Sequence, residues 1–319
     1  MLLVKNQKNY TVIISNDYGY SPLISFPFEK PPEPGQICEI IPNLYWLRMK
    51  LPMYINHVNV YVFREHNGIT VVDTGLNVSS CIVNWEKILK THFSGLKVTR
   101  VIATHHHPDH VGLLGWFFNL HNSEIWMSRT AWLMARMLTL EVQEKVSLQA
   151  VNFWKLAGMS KSMIEKKSKQ RPINFCDGVA YIPLGFRRVF NGDEIKIGDY
   201  SWTVRFGNGH APNHITLWNT EQKILIAGDQ VLPGISSNLS VYPTEPLADP
   251  VGEWINTCVQ FKKYDAEDYL VLPGHKLPFY GLHERLDQLI ANHKGAFKRI
   301  RKVLMFGEKS AVQLFKPIF

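Results

Sequence analysis

Long hydrophobic runs are missing from this chain. No apolar stretch in its 319 residues approaches the ~18–20 needed to span a bilayer, so no membrane span is expected. Cysteine is scarce. Cys38, Cys81, Cys176 and Cys258 are scattered with no CxxC pair, which speaks against an oxidising compartment and for a cytoplasmic one. The opening "MLLVKNQKNYTVIIS" has lysines interrupting its apolar residues and lacks a small-residue cleavage site, so a secretory signal is not expected. Charged residues are only 19% against 45% hydrophobic ones, the balance of a soluble globular chain with a full core. Repeats of solenoid period are absent, and so is the GxSxG elbow of a serine hydrolase.

What charge there is leans basic, with a formal net charge of +8. Two runs carry most of it: Lys161–Arg171 ("KSMIEKKSKQR") has five basic residues against one acid, and Lys294–Lys302 ("KGAFKRIRK") has five against none. Neither interleaves aromatics as a single-strand binding groove does. Solvated helix faces are the expected reading, and a patch for polyanions is the alternative.

The chain reads as a layered α+β domain. Residues 1–36 form an extension with one strand, "YTVIIS", and a proline-rich connector, "EKPPEPGQ". Residues 37–290 form the main domain. Short strand patterns ("ICEII", "LYWLRM", "VNVYVF", "ITVVDTG") lead to a helix at "WEKILKTHF", the buried strand "VTRVIAT", a helix at "VGLLGWFFNL" and the strand "SEIWMS". From about 129 to 169 the pattern turns helical, and removing that block leaves one continuous layered core, so it is an insertion. Strands resume through "RRVFNGDEIKIGDYSWTVRF", "ITLWNT" and "KILIAGD". A helix then starts at "DPVGEWINTCVQFKKY", with Asp249 as its cap and Pro250 at its first position. After a last strand, "YLVLPGH", basic helices follow, and 291–319 is a basic helical tail.

One stretch stands apart. "THHHPDHVG" at 104–112 crowds four histidines and an aspartate into a loop that directly follows a strand. In extended backbone His105 and His107 point the same way, and Asp109 and His110 then turn toward a neighbouring position. Imidazole and carboxylate suit a borderline-soft divalent metal, and a catalytic site keeps one position open. One loop completes no such site alone. Further ligands are sought at other strand ends, where His210 ("GNGHAPNH"), Asp229 ("LIAGDQ") and His275 ("VLPGH") each sit beside glycine.

With these residues in hand, the sequence resembles the metallo-β-lactamase-fold hydrolase superfamily. His105-x-His107-x-Asp109-His110 is its HxHxDH signature, Asp73 in "VVDTG" matches its Asp-Thr-Gly, and the resemblance runs from about Ile37 to Ile290. "GDQVLPGISSN" and "PGHKLPFYGLHERLDQLI" look most like a bacterial subgroup of metal-dependent hydrolases. The resemblance implies a four-layer αββα sandwich and two divalent metal ions, zinc first, with iron or manganese as alternatives. It assigns His105, His107 and His210 to one metal, Asp109, His110 and His275 to the other, and Asp229 between them. Asp73 would brace the histidine loop, and His214 would support the site or pack.

The implied reaction is hydrolysis by a hydroxide held between the metals, with Asp109 the preferred proton acceptor and Asp229 the alternative. Classical β-lactamases mostly lack a carboxylate at Asp229, whereas thioesterases of the glyoxalase II type, lactonases and phosphodiesterases have one. Trp132, Met134, Met137, Leu138, Phe153 and Trp154 in the helical block either wall an acyl-binding cleft or pack the block onto the core. The loop after Asp229 offers Ser236, Asn238 and Tyr242 as substrate contacts, and Tyr242 or His57 as an oxyanion donor. The expected substrate is a small thioester, ester or lactone. Glutathione contacts of glyoxalase II are not found in "KLPFYGLHERL". A phosphodiesterase of the tRNase Z type, favoured by a pI near 9.2, and a non-catalytic binding protein are the alternatives. Nucleic acid and membrane are not expected partners, and a homodimer is left open.

Overall fold

A computed structural model describes residues 23–318. The strand expected at "YTVIIS" lies outside the described residues. Two sheets form the centre. The first has seven strands in the order β1 (Cys38–Ile41), β2 (Leu44–Lys50), β3 (His57–Glu65), β4 (Gly68–Val72), β5 (Val98–Ile102), β6 (Glu124–Met127) and β7 (Arg187–Arg188). The second has five, ordered β12 (Leu270–Pro273), β11 (Ile224–Gly228), β10 (His214–Asn219), β9 (Tyr200–Gly207) and β8 (Glu194–Ile197). Hairpin-linked strands pair antiparallel, while β4–β7 in one sheet and β11–β12 in the other pair parallel.

Period-two patterning makes both faces of each sheet apolar. In β3, Val58, Val60 and Val62 face the outer helices, while Tyr61 and Phe63 face the second sheet. In β11, Ile224 and Ile226 face inward, and Leu225 and Ala227 face outward. Each outer face is then covered by helices whose apolar residues recur at i, i+4, i+7. Helix α1 (Ser79–His92) buries Cys81, Trp85 and Ile88 on the first sheet. Helix α7 (Pro250–Phe261) buries Trp254, Cys258 and Phe261 on the second. It starts where the sequence signals placed it, with the Asp249 carboxylate accepting from the Gly252 amide at 2.9 Å. Helix, sheet, sheet, helix is the expected αββα sandwich.

Between β5 and β6 lie a single turn, α2 (Pro108–Val111), and α3 (Leu114–His121). The helical block at 129–169 is three helices, α4 (Arg129–Leu140), α5 (Leu148–Leu156) and α6 (Lys161–Ser168). Because β6 and β7 pair in parallel, the block lies within their crossover. Helix α4 buries Ala131 and Ala135 against the first sheet's core, whereas α5 buries nothing fully. Helix α8 (Leu282–Leu304) runs unbroken through Ile290, where a separate tail was expected to begin, and is followed by α9 (Ala311–Ile318). Its first three turns are anchored by Leu282, Leu286 and Leu289. Of the N-terminal extension, Ile24 and Phe26 are buried against the second sheet's helices, and Ser25 bridges Tyr280. Among the described residues, no helix is long and apolar enough to cross a membrane.

The inter-sheet layer is the core most exposed to a volume error, since both walls are fixed by hydrogen-bonded ladders. Leu217→Ala, at a fully buried β10 position, should cost about 2–5 kcal/mol of unfolding free energy, measured by denaturant titration.

Candidate metal centre

The parallel pairs β4–β5 and β11–β12 end at the same edge of the sandwich, and the chain leaves each strand there carrying a polar residue. After β5 come Thr104 to His107, and Pro108 then opens the α2 turn, which swings Asp109 and His110 off the line of the strand. After β11 and β12 come Asp229 and His275, and His210 lies in the link from β9 to β10. All seven residues meet. Ligand atoms of His105, His107 and His210 lie within 4.8 Å of one another, as do those of Asp109, His110 and His275. Asp229 lies between the two groups: Oδ1 is 3.5 Å from His110 Nε2, and Oδ2 is 3.1 Å from His275 Nε2 and 3.6 Å from His210 Nε2.

Outer hydrogen bonds aim the rings inward. The Asp73 carboxylate, on a backbone with φ of +62°, accepts from the Thr104 amide (2.8 Å), the Thr104 hydroxyl (2.9 Å) and His110 Nδ1 (2.8 Å). His210 Nδ1 donates to the Asn238 carbonyl at 2.9 Å, and His275 Nδ1 donates to the His57 carbonyl at 2.6 Å. Glycine is required where these parts close up. A Cβ on Gly274 would stand 2.1 Å from Asp229 Oδ1, and one on Gly228 (φ +49°) would stand 2.6 Å from His214 Cε1.

Charge within the cluster is balanced by protons. Burial lowers the pKa of His105 and His107, and also of His210, where Asp229 opposes the shift only in part. Burial also acts on His110, but Asp109, Asp73 and Asp229 overcome it and hold that ring well above the ordinary imidazole range. His275 is likewise raised, to about 10, by Asp229 and a hydrogen bond to Asp109 against the effect of burial. Against the cost of burial, His275 and His110 pull Asp229 well below the usual carboxylate value, and Asp109 is lowered with it. The two rings whose pKa is raised, His110 and His275, thus stand against the two carboxylates. Buried His110 Nε2 and Asp229 Oδ1 have no hydrogen-bond partner, and both point into the cluster. Donor set, burial and unpaired atoms all fit divalent metal ions.

Other expected residues fall into place differently. His214 stacks on His105 at 4.5 Å, and its Nε2 accepts the Asp229 amide at 3.1 Å, so it positions two site residues at once. His57 departs from the role of oxyanion donor. Its Nδ1 pairs with Asn56 Oδ1 at 2.9 Å and its Nε2 accepts the Lys276 amide at 2.9 Å, leaving no N–H to offer. Its ring instead packs edge-on against His275. Ser236, Asn238 and Tyr242 lie on the loop after Asp229, with Tyr242 exposed. Asn238 Nδ2 donates to the Tyr242 hydroxyl at 3.3 Å, and buried Ser237 donates to the Asp229 carbonyl.

Sequence reading missed the clamp on the His275 loop. Asn59 donates to the carbonyls of Pro273 (2.8 Å) and Lys276 (2.9 Å), Tyr61 donates to Pro273 (2.8 Å), and Arg48 braces Asn59 Oδ1 at 3.1 Å. The available signal was a polar residue, Asn59, interrupting the valine-rich run "VNVYVF", and the fold buries it fully.

Two outcomes test this construction. Asp73→Asn keeps the backbone conformation but loses one acceptor, and should weaken metal affinity about 10–100-fold in a competition titration while leaving the metal-free fold intact. Metal binding must also displace the His110 and His275 protons, so affinity should rise with pH. Calorimetry in buffers of different ionisation enthalpy should register proton release at neutral pH.

Comparison with known proteins agrees with this geometry. The chain is 26% identical over 282 residues to the human acyl-coenzyme A thioesterase MBLAC2, covering 85% of this chain and 91% of that one. The crystal structure of a beta-lactamase domain protein from Burkholderia ambifaria superposes with a TM-score of 0.84 at 31% identity, over 94% of this chain and 89% of that one. That of a metallo-beta-lactamase family protein from Thermus thermophilus shares the fold, with a TM-score of 0.73 at 23% identity over 88% and 89% of the two chains. Residues 54–275 match the Metallo-beta-lactamase superfamily, and the chain belongs to it.

Proposed function

We propose that this protein is a dinuclear metal-dependent hydrolase of acyl thioesters. The observation that carries the reading is Asp229, a buried carboxylate whose Oδ2 lies 3.1 Å from His275 of one ligand group and 3.6 Å from His210 of the other. Such a residue suits a two-metal hydrolytic site more than a penicillin-cleaving one. Similarity to an acyl-coenzyme A thioesterase over most of both chains supports the thioester over the lactone.

His105, His107 and His210 would hold one ion, Asp109, His110 and His275 the other, and Asp229 would serve both. Zinc is the first choice, with iron or manganese as alternatives. Ions bound there supply Lewis acidity, which polarises an acyl oxygen and lowers the pKa of water. The chain's own part is orientation and proton handling. Asp109 Oδ2 lies 3.4 Å from His275 Nε2 and is the proposed proton acceptor. His214 and Asp73 hold Asp229 and His110 in place without touching substrate.

The helical block would line the acyl side. Its first helix begins at the site, with the Thr130 hydroxyl donating to Asn213 at 2.6 Å in the His210 link. Of the expected wall residues, Trp132 stacks on Phe186 and its indole donates to Pro183, so it packs the block onto the core. Met137 stays 48% exposed and aligns at i, i+4, i+7 with exposed Leu133 and Leu140, an apolar stripe suited to an acyl chain.

The test is a panel of acyl thioesters of rising chain length, lactones and phosphodiesters, assayed on protein of measured metal content. Thioesters should be turned over fastest, Asp229→Ala should lose at least about 100-fold in kcat/KM, and Leu133→Ser with Met137→Ser should raise KM for long acyl chains alone. Preferred turnover of a phosphodiester would reassign the protein to the phosphodiesterase branch.

A further inference from the structure

We propose that the junction of α6, α8 and α9 docks on an anionic phospholipid bilayer and holds the protein at a membrane surface. The proposal goes beyond the hydrolase reading, does not depend on it, and departs from the sequence-based expectation of no membrane partner.

Folding brings together the two basic runs that lie far apart in the chain. Helix α9 packs on α8, and α5 packs on α6. The two pairs are joined where the Val312 amide, in α9, donates to the Ala157 carbonyl at the end of α5, at 3.0 Å. Gly158 fits directly against Ser310, where a Cβ would stand 2.2 Å from the serine hydroxyl. The run Lys161–Arg171 and the run Lys294–Lys302 therefore flank one junction, to which Lys309 and Lys316 add further charge. Arg171 is turned aside, paired with Asp177 at 2.9 Å and with Glu144. Lys161 shares its charge with Glu165 at 3.9 Å and Glu308 lies beside Lys309, but lysines make up most of what remains, and those of both runs are exposed.

Among these lysines stand apolar side chains that the fold leaves in solvent. Leu156 is 86% exposed, Met305 83%, Phe306 81% and Phe315 56%. Isolated exposed apolar residues are ordinary, but several set within one basic region are not. An anionic bilayer satisfies both features: headgroups attract the lysines, and the acyl boundary takes the apolar side chains. A nucleic acid would answer the charge and could stack on Phe306 and Phe315, but it would leave the equally exposed Leu156 and Met305 in water. A second copy of the chain would answer the apolar residues while setting like charges against each other.

The experiment is co-sedimentation of the full metal-loaded chain with phosphatidylcholine vesicles and with equimolar phosphatidylcholine–phosphatidylglycerol vesicles. Two double variants accompany it, Met305→Ser with Phe306→Ser and Lys298→Glu with Lys302→Glu, their metal content and unfolding midpoint confirming the fold. Binding should be at least about tenfold tighter to the anionic vesicles, should weaken with salt, and should fall about tenfold in each variant. No preference for anionic vesicles overturns the proposal. So does binding that survives Met305→Ser with Phe306→Ser, since charge alone would then explain it. Tighter binding to a single-stranded RNA oligonucleotide, or a concentration-dependent dimer abolished by the same serine pair, would assign the face to that partner instead.

Discussion

One buried carboxylate organises this protein. Asp73 leaves β4 in a left-handed backbone conformation and gathers the amide and hydroxyl of Thr104 and the ring of His110 around its two oxygens. Thr104 in turn offers its carbonyl across the sandwich to the Ile215 amide at 2.7 Å, near the start of β10, which pairs with the strand that leads to Asp229. The same few atoms therefore align the histidine loop and lock one sheet to the other where the site lies. A second seam, from the Asn59 amide to the Gly274 carbonyl at 2.6 Å, does this for the His275 loop.

These seams explain why so polar a cluster can sit at the edge of so apolar a core. The layer between the sheets is packed with Trp46, Trp202 and Leu217 and offers so few polar partners that the buried indole N–H groups of both tryptophans are left without one. At the edge, nearly every inward-facing ring has an outward partner, and like-charged rings are kept neutral by burial except where carboxylates stand beside them. The cluster is prepared for cations before any arrive. Its remaining tension is the pair of unpaired atoms, His110 Nε2 and Asp229 Oδ1.

Much of this could be read from the linear chain because the relevant signals are local. The run "THHHPDH", strand-end glycines before Asp229 and His275, and the Asp-Pro start of α7 each announce themselves within a few residues. Element positions were legible for the same reason, since alternation and helical spacing are short-range patterns. His57 was misread because its chemistry depends on two partners, Asn56 and Lys276, the second of which is remote. Asn59 is the one trace of the clamp in the sequence, while Tyr61 and Arg48 went unnoticed because their partners, the Pro273 carbonyl and Asn59 itself, are set by pairing between segments far apart or on different strands.

Composition and motif spacing were enough to specify the layered α+β class and the identities of the seven clustered side chains, and the bracing role of Asp73 followed from the resemblance those motifs carry. They were silent on which side chains would serve each other across the fold. Whether two basic runs stay apart or flank one apolar junction, and which imidazoles keep a proton, depends on distances between segments far apart in the chain. Electrostatic and desolvation energies follow those distances, and a linear pattern does not contain them.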